Sequence, residues 1–217
     1  MTSIHAPDGI VLFSPDFRVK LTIPDTPDNA AIARLRADPR VRTHMPFLPV
    51  VKEEEMESLR VARSQDTSIL DVVIWARDND ESEQDDEEGL EQATYSFAGV
   101  SGIFGLDPIH RSCEAGIIIA PTHQGRSLTT PVFYTLFKYL FGPMNVHRIT
   151  FETSAQNSGM IRWLEGVGIR KEGERKRAWK GEEGWVDVLS YAVLEEEWKE
   201  RVRGFLEAKM GVQLDEL

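Results

Sequence analysis

Two carboxylates and one polar turn, all in the second half of the chain, are the residues whose types and spacing could do chemistry. Glu114 opens the apolar run EAGIIIA (Glu114 to Ala120), and Glu152 lies within VHRITFET (Val146 to Thr153). A carboxylate held on a strand can accept a proton from an incoming nucleophile, which makes both candidate general bases. Either could equally be an exposed or paired strand carboxylate. His110 and Cys113 stand just upstream: the imidazole could relay a proton, and the thiol could carry an acyl group. No base partner for Cys113 is evident, so a buried, unreactive thiol is the preferred reading. No spacing of His, Cys, Asp and Glu suggests a metal site.

Between the two carboxylates runs Ile117-Ile-Ile-Ala-Pro-Thr-His-Gln-Gly-Arg-Ser-Leu-Thr-Thr130. It reads as a strand, a polar turn containing Gly125, and the start of a helix. Such a connection points free backbone N–H groups at whatever lies above the helix N-terminus, and the helix dipole favours an anion there. A pyrophosphate fits. The alternative is an ordinary strand-to-helix connection capped by Ser127.

The surrounding sequence supplies the elements that position these groups. Phe17 to Ile23 alternates as a half-buried strand, Asp28 precedes an Ala/Ile/Leu-rich helical run to Ala37 that Pro39 stops, and Val51 to Ser64 reads as a second helix. Leu70 to Arg77 and Tyr95 to Phe104 read as strands, with a disordered, solvated acidic loop at 78–92 between them. Glu114 to Ala120 is apolar without a break, which predicts a central strand buried on both faces. Apolar residues at helical spacing from Leu128 to Phe141 predict a helix on the sheet, with Pro131 in its first turn. A strand at Val146 to Thr153, a helix at Ser158 to Val167, strands at Ile169 to Ala178 and Trp185 to Val193, and a final helix at 195–210 complete a mixed α/β domain. We read residues 1–217 as one domain.

From Glu114 to Trp198 the chain resembles the GNAT superfamily of N-acetyltransferases, and within it the branch of ribosomal-protein N-terminal acetyltransferases. Gln124-Gly-Arg-Ser-Leu-Thr129 resembles the family's Arg/Gln-x-x-Gly-x-Gly/Ala loop, with Ser127 standing where the family usually has Gly and Thr129 where it has Gly or Ala. His147-Arg148-Ile149, Asn157, Glu165-Gly-Val-Gly-Ile169, Glu172-Gly173, Asp187, Tyr191 and Glu197-Trp198 resemble later family positions in the expected order. The resemblance implies a mostly antiparallel, twisted central sheet whose middle strands splay, with helices on both faces and a local bulge in the strand before the loop. It implies that acetyl-CoA is the acyl donor, its pyrophosphate against Gln124, Gly125, Arg126, Ser127, Leu128, Thr129 and Thr130. The pantetheine arm would lie along backbone at Ile117, Ile118 and Ile119 and near Asn157, which could also simply cap its helix. Glu114 ranks first as base because the resemblance puts it near the acceptor side, and Glu152 second. The positions that hold a proton-donating Tyr or Ser in many relatives are Leu164 and Met160, so the usual general acid is missing.

The expected activity is therefore direct transfer of an acetyl group to a primary amine of a small molecule or a protein N-terminus, without a metal. The alternative is a catalytically degraded acyl-CoA-binding or interaction module. A third reading makes the last helix, with Trp198, Val202, Phe205 and Met210 on one face, a contact between copies, so both monomer and homodimer stay open. Net charge is −11, but nine acidic residues lie between Asp78 and Glu91, and without them the balance is −2. That distribution argues against nucleic-acid or anionic-membrane partners, which need clustered Lys and Arg. The acidic loop could instead gather a cationic substrate. No apolar run approaches the roughly 20 residues of a membrane span, and the single cysteine cannot form an internal disulfide, so a cytoplasmic location is expected.

Overall fold

Eight strands form one sheet in the order β1-β2-β3-β4-β5-β6-β8-β7. The computed structural model describes residues 9–78, 93–181 and 184–212; apart from Asp78, the expected acidic loop lies outside them. The strands are β1 (Val11–Phe13), β2 (Val19–Thr22), β3 (Leu70–Arg77), β4 (Tyr95–Asp107), β5 (Ser112–Ile119), β6 (Arg148–Ser154), β7 (Arg170–Lys180) and β8 (Trp185–Leu194). All neighbours pair antiparallel except β5 and β6. The sheet is therefore mostly antiparallel, as the resemblance implied.

One face carries the main core. Helix α4 (Thr129–Phe141) buries Val132, Phe133, Leu136, Phe137 and Leu140 completely. It lies between the sheet, where Phe151 meets the Phe133 ring edge-on at 5.5 Å, and the C-terminal helix, where Trp198 meets Phe137 at 5.8 Å. That last helix runs through Glu195–Glu197, a π-helical stretch Trp198–Val202 and Arg203–Met210. Its Trp198, Val202 and Leu206 are buried in the domain's own core, so most of its apolar face is spent there.

The opposite face is covered by α1 (Asn29–Ala37), α2 (Pro39–Arg42) and α3 (Glu53–Ser64), with Ile32, Ala33 and Met56 packed over Val73 of β3. Pro39 ends α1 as expected but also opens α2, where its missing N–H costs nothing, and Asp38 caps that turn by accepting from the Arg40 N–H at 2.8 Å. Short α5 (Ser158–Gly166) follows β6. The bulge expected in β5 is not there: its register with β4 is continuous from Glu114 to Ile119. The irregularities lie on β4, which inserts Ala98 opposite Ile74 and Trp75 of β3 and shifts its register with β5 between Phe104 and Asp107.

Candidate active site

The middle of the sheet comes apart. β5 and β6 pair only through Ser112, Cys113 and Glu114 against Arg148, Ile149 and Thr150, after which β6 keeps its partner β8 and β5 keeps β4. The Thr150 hydroxyl donates to the Cys113 carbonyl at 3.1 Å just at the fork. Beyond it a cleft of about 870 Å³ opens, lined among others by Glu114, Ile117, Gln124, Asn157, Arg36 and Trp179. This explains why Ile117, Ile118 and Ile119 are half-buried rather than enclosed on both faces as their apolar run predicted. One flank of β5 has no strand beside it.

The direction of each peptide group follows from one hydrogen bond. The Ala120 N–H donates to the Ala98 carbonyl at 2.8 Å, on the β4 side. By alternation the N–H groups of Ile118 and Gly116 also face β4, and those of Ile117 and Ile119 face the gap. Ile118 thus contributes its side chain to the cleft, not its backbone.

Glu114 sits at the fork with no hydrogen bond or ion pair among the described residues. Burial raises its pKa to about 7, helped by the neighbouring Glu152 charge and opposed by Arg175. Glu152 also lines the cleft but is held in an ion pair by Arg175. Of the two carboxylates, Glu114 is the one without an ion-pair partner among the described residues. Burial and the Glu114 charge push the Cys113 thiol up to about 12, so it is not a thiolate at neutral pH. His110 is exposed outside the cleft lining, its backbone N–H donating to Asp107 Oδ1 at 2.9 Å.

The turn after β5 is fixed from below. Arg18 of the β1–β2 connection donates to the Arg126 carbonyl at 2.5 Å, Arg126 donates to the Arg77 carbonyl at 3.1 Å, and Gln124 Nε2 donates to the Ile119 carbonyl at 3.3 Å. Gly125 and Ser127 both take left-handed backbone, at φ 82° and 57°. Ser127 does not cap α4, which has no side-chain cap, so the ordinary-connection reading fails at that point. Among the described residues the N–H groups of Leu128, Thr129 and Thr130 have no acceptor. They are the unfilled first turn of a helix.

A family model described as an acetyltransferase (GNAT) domain matches residues 18–170, more than half of the chain. The chain belongs to the GNAT acetyltransferase family. Among curated proteins it is 35% identical over 85 residues to an uncharacterized N-acetyltransferase, YnaD, of Bacillus subtilis, covering 39% of this chain and 50% of that protein. It is 31% identical over 84 residues to a spermidine N(1)-acetyltransferase of Vibrio cholerae, covering 39% and 49%. The chain thus spans about half the length of the curated relatives it matches. Among solved structures, spermidine N-acetyltransferase from V. cholerae in complex with CoA and spermine superposes with TM-score 0.73 at 21% identity, over 84% of this chain and 99% of that one. Mycobacterium smegmatis RimJ in complex with CoA-disulfide gives 0.72 at 22%, over 93% of each. At that identity the likeness is one of fold.

In this GNAT domain Asn157 caps α5, its Oδ1 accepting from the Met160 N–H at 3.1 Å. Its Nδ2 has no acceptor among the described residues, and the residue lines the cleft. Met160 lines the cleft as well, but Leu164 is wholly buried in the core, so no hydroxyl occupies either position. The structure also brings in residues the sequence did not single out: Arg36, Arg40, His44 and Phe47 from α1, α2 and the segment after them, Arg63 and Asp71 from α3 and β3, and Trp179 from β7. Arg63 holds Asp71 in a bidentate pair at 2.6 and 2.7 Å. Their signal was slight. Arg34 and Arg36 look alike in sequence, and only the packing of α1 turns one outward and the other to the cleft. Among the described residues there is no cluster of three or more metal-ligating side chains, and no helix is long and apolar enough to cross a membrane.

Proposed function

We propose that the protein is an N-acetyltransferase that takes an acetyl group from acetyl-CoA and gives it to a primary amine of a small molecule or a peptide N-terminus. The observation that carries this reading is the fork itself: Glu114, with a pKa pushed up to about 7, opens onto a cleft whose other boundary is a helix start with unfilled N–H groups. Family membership supports the reaction class. The pyrophosphate belongs at Gln124 to Thr130, where backbone donors and the α4 dipole favour an anion. The pantetheine lies along the open flank of β5, against the N–H groups of Ile117 and Ile119, with Asn157 Nδ2 as a further donor. A backbone N–H there polarises the thioester carbonyl as an oxyanion-hole donor does.

The amine loses its proton to Glu114, attacks the carbonyl carbon as the C–N bond forms, and the C–S bond breaks to release the thiolate of CoA. Protonated Glu114, or water in the open cleft, returns a proton to that sulfur. A carboxyl group with a pKa near the working pH suits both directions of transfer. Glu152 supports it by charge rather than by touching the amine.

Glu114→Gln is the test. It should lower kcat about 10²- to 10⁴-fold while calorimetry finds the acetyl-CoA Kd unchanged; an unaltered rate would remove Glu114 from the reaction. In the wild-type protein kcat/KM should rise with pH through about 7 as the carboxylate forms, and this limb should vanish in the variant. Leu164 in the core and Met160 in the cleft favour one competing reading, an acyl-CoA-binding module that does not turn over. Tight acetyl-CoA binding with no thiol released against a broad amine panel would establish that alternative. The lone reduced Cys113 fits a cytoplasmic setting.

A further inference from the structure

Two guanidiniums that line the cleft of the proposed acetyltransferase, Arg36 and Arg162, have no partner among the described residues, and of these only Arg36 is half-buried. Arg36, on α1, is half-buried and lines the cleft. Among the described residues it makes no hydrogen bond or ion pair, and its Nε is fully buried without an acceptor. Neighbouring charges do not compensate it. Asp71 is the nearby carboxylate, but both of its oxygens are taken by Arg63. Burial first, and then the Arg63 charge, hold the Arg36 pKa below its usual value, with Asp71 opposing. Arginine nonetheless stays charged at neutral pH, so an unpaired cation sits in the wall of a binding cleft. His44 stands in the same lining with a buried Nδ1 that also has no partner. Two of the four buried side-chain atoms without partners among the described residues thus belong to residues that line this one cleft.

The inventory of acids in the same cleft sharpens this. Asp71 is held by Arg63 and Glu152 by Arg175, leaving Glu114 as the carboxylate without a partner. A polyamine, with a positive charge every few atoms, would meet one unpaired acid and two unpaired guanidiniums, Arg36 and the exposed Arg162. An amine that also carries an anion would meet its complement at both ends. Strand register gives the scale: Asp71 pairs with Gly102 and Gly102 with Gly116, so β3 lies two strand spacings, roughly 10 Å, from the strand that bears Glu114. A molecule of amino-acid to dipeptide size spans that distance.

We propose that the acceptor is an amino-carboxylate, whose carboxylate is received by Arg36 together with His44 while its amine nitrogen meets Glu114. The inference rests on the acetyl-transfer reading for the identity of the amine end, but the anion subsite can be measured without turnover.

The experiment compares matched acceptors that differ by one carboxylate: lysine with cadaverine, ornithine with putrescine, and glycylglycine with its amide. O-phosphoethanolamine with ethanolamine is the phosphate control. Each pair is assayed for thiol release with acetyl-CoA and, separately, for binding to the CoA-loaded protein by calorimetry. The wild-type protein should prefer the carboxylate member about 10- to 100-fold, the range of one charge-assisted pair. Arg36→Gln should abolish that preference without changing the acetyl-CoA Kd; Arg36→Lys should restore part of it; Arg34→Gln, on the exposed side of α1, should leave it intact. Equal or better use of the carboxylate-free partners by the wild-type protein overturns the proposal, as does a preference that survives in Arg36→Gln. So does a weakened acetyl-CoA Kd, which would assign Arg36 to the donor, or a phosphate acceptor preferred over every carboxylate. If Arg36→Gln fails to fold, the wild-type comparison and Arg36→Lys still decide the matter. Preferential binding of the carboxylate members with no thiol release would uphold the subsite and sink acetyl transfer instead.

Discussion

Ser127 holds left-handed backbone at φ 57°, the region where a residue other than glycine pays roughly 1–2 kcal/mol. A glycine would meet the conformational requirement of this position without strain, whereas the chain meets it with a serine. Ser127→Gly relieves that strain but adds about 0.5–1 kcal/mol of backbone entropy to be lost on folding. The two partly cancel, so stability measured by thermal melting should change by about 0–1.5 kcal/mol. Ser127→Ala keeps the strain and, like Ser127→Gly, removes the hydroxyl; a weaker acetyl-CoA Kd in both variants would identify the hydroxyl as a phosphate donor. Glu114 links the site to stability. Its folded pKa is raised, so its contribution is fully present below about 4.5 and is lost as pH rises through about 7. Denaturant melts at acid and alkaline pH should show a smaller loss in Glu114→Gln than in the wild-type protein. The residue scale was partly legible in sequence. Glu114 stood out because it heads an apolar strand, whereas Arg36 and His44 did not, because the partners they lack are a property of tertiary packing.

At the scale of elements, two glycines let the central strands approach. A Cβ on Gly102, at φ 150°, would lie 2.1 Å from the Leu70 carbonyl oxygen, and one on Gly99, at φ 147°, 2.1 Å from that of Ile118. Both contacts are with backbone, which cannot step aside cheaply. Gly102→Ala should therefore cost about 2–6 kcal/mol in denaturant unfolding, strain and overpacking together. Long periodic elements were legible: α4, β3 and the terminal helix fall where apolar spacing put them. The three-residue β1 and four-residue α2 were not, since so few residues show no period. The apolar run of β5 was misjudged for a physical reason. Continuous Ile side chains report avoidance of water, and a cleft that waits for a ligand's hydrocarbon satisfies that pattern as well as a second strand does.

On the scale of the whole molecule, the sheet is two blocks, β1 to β5 and β6 to β8, joined by a three-residue parallel pairing and by α4 with its aromatic core. Phe137 is fully buried where that core meets the last helix, and Phe137→Ala should destabilise the fold by about 3–5 kcal/mol in denaturant unfolding. The thiol of Cys113 lies beside the junction, so its labelling by an alkylating reagent should track global unfolding rather than local breathing. Element order along the chain was legible, but the placement of β8 between β6 and β7 was not, because pairing partners are set by hydrogen bonds across sequence distance.

The bare flank of β5 has a mechanical consequence. A pantetheine arm carries amides of its own, so one lying there as proposed would substitute for the absent strand and lace the two blocks to each other. Deuterium uptake at the Ile117 and Ile119 amides should slow when acetyl-CoA is added, while Ile118, already tied to β4, should change little. The donor would then be a temporary ninth member of the sheet, and the empty protein the looser of the two states.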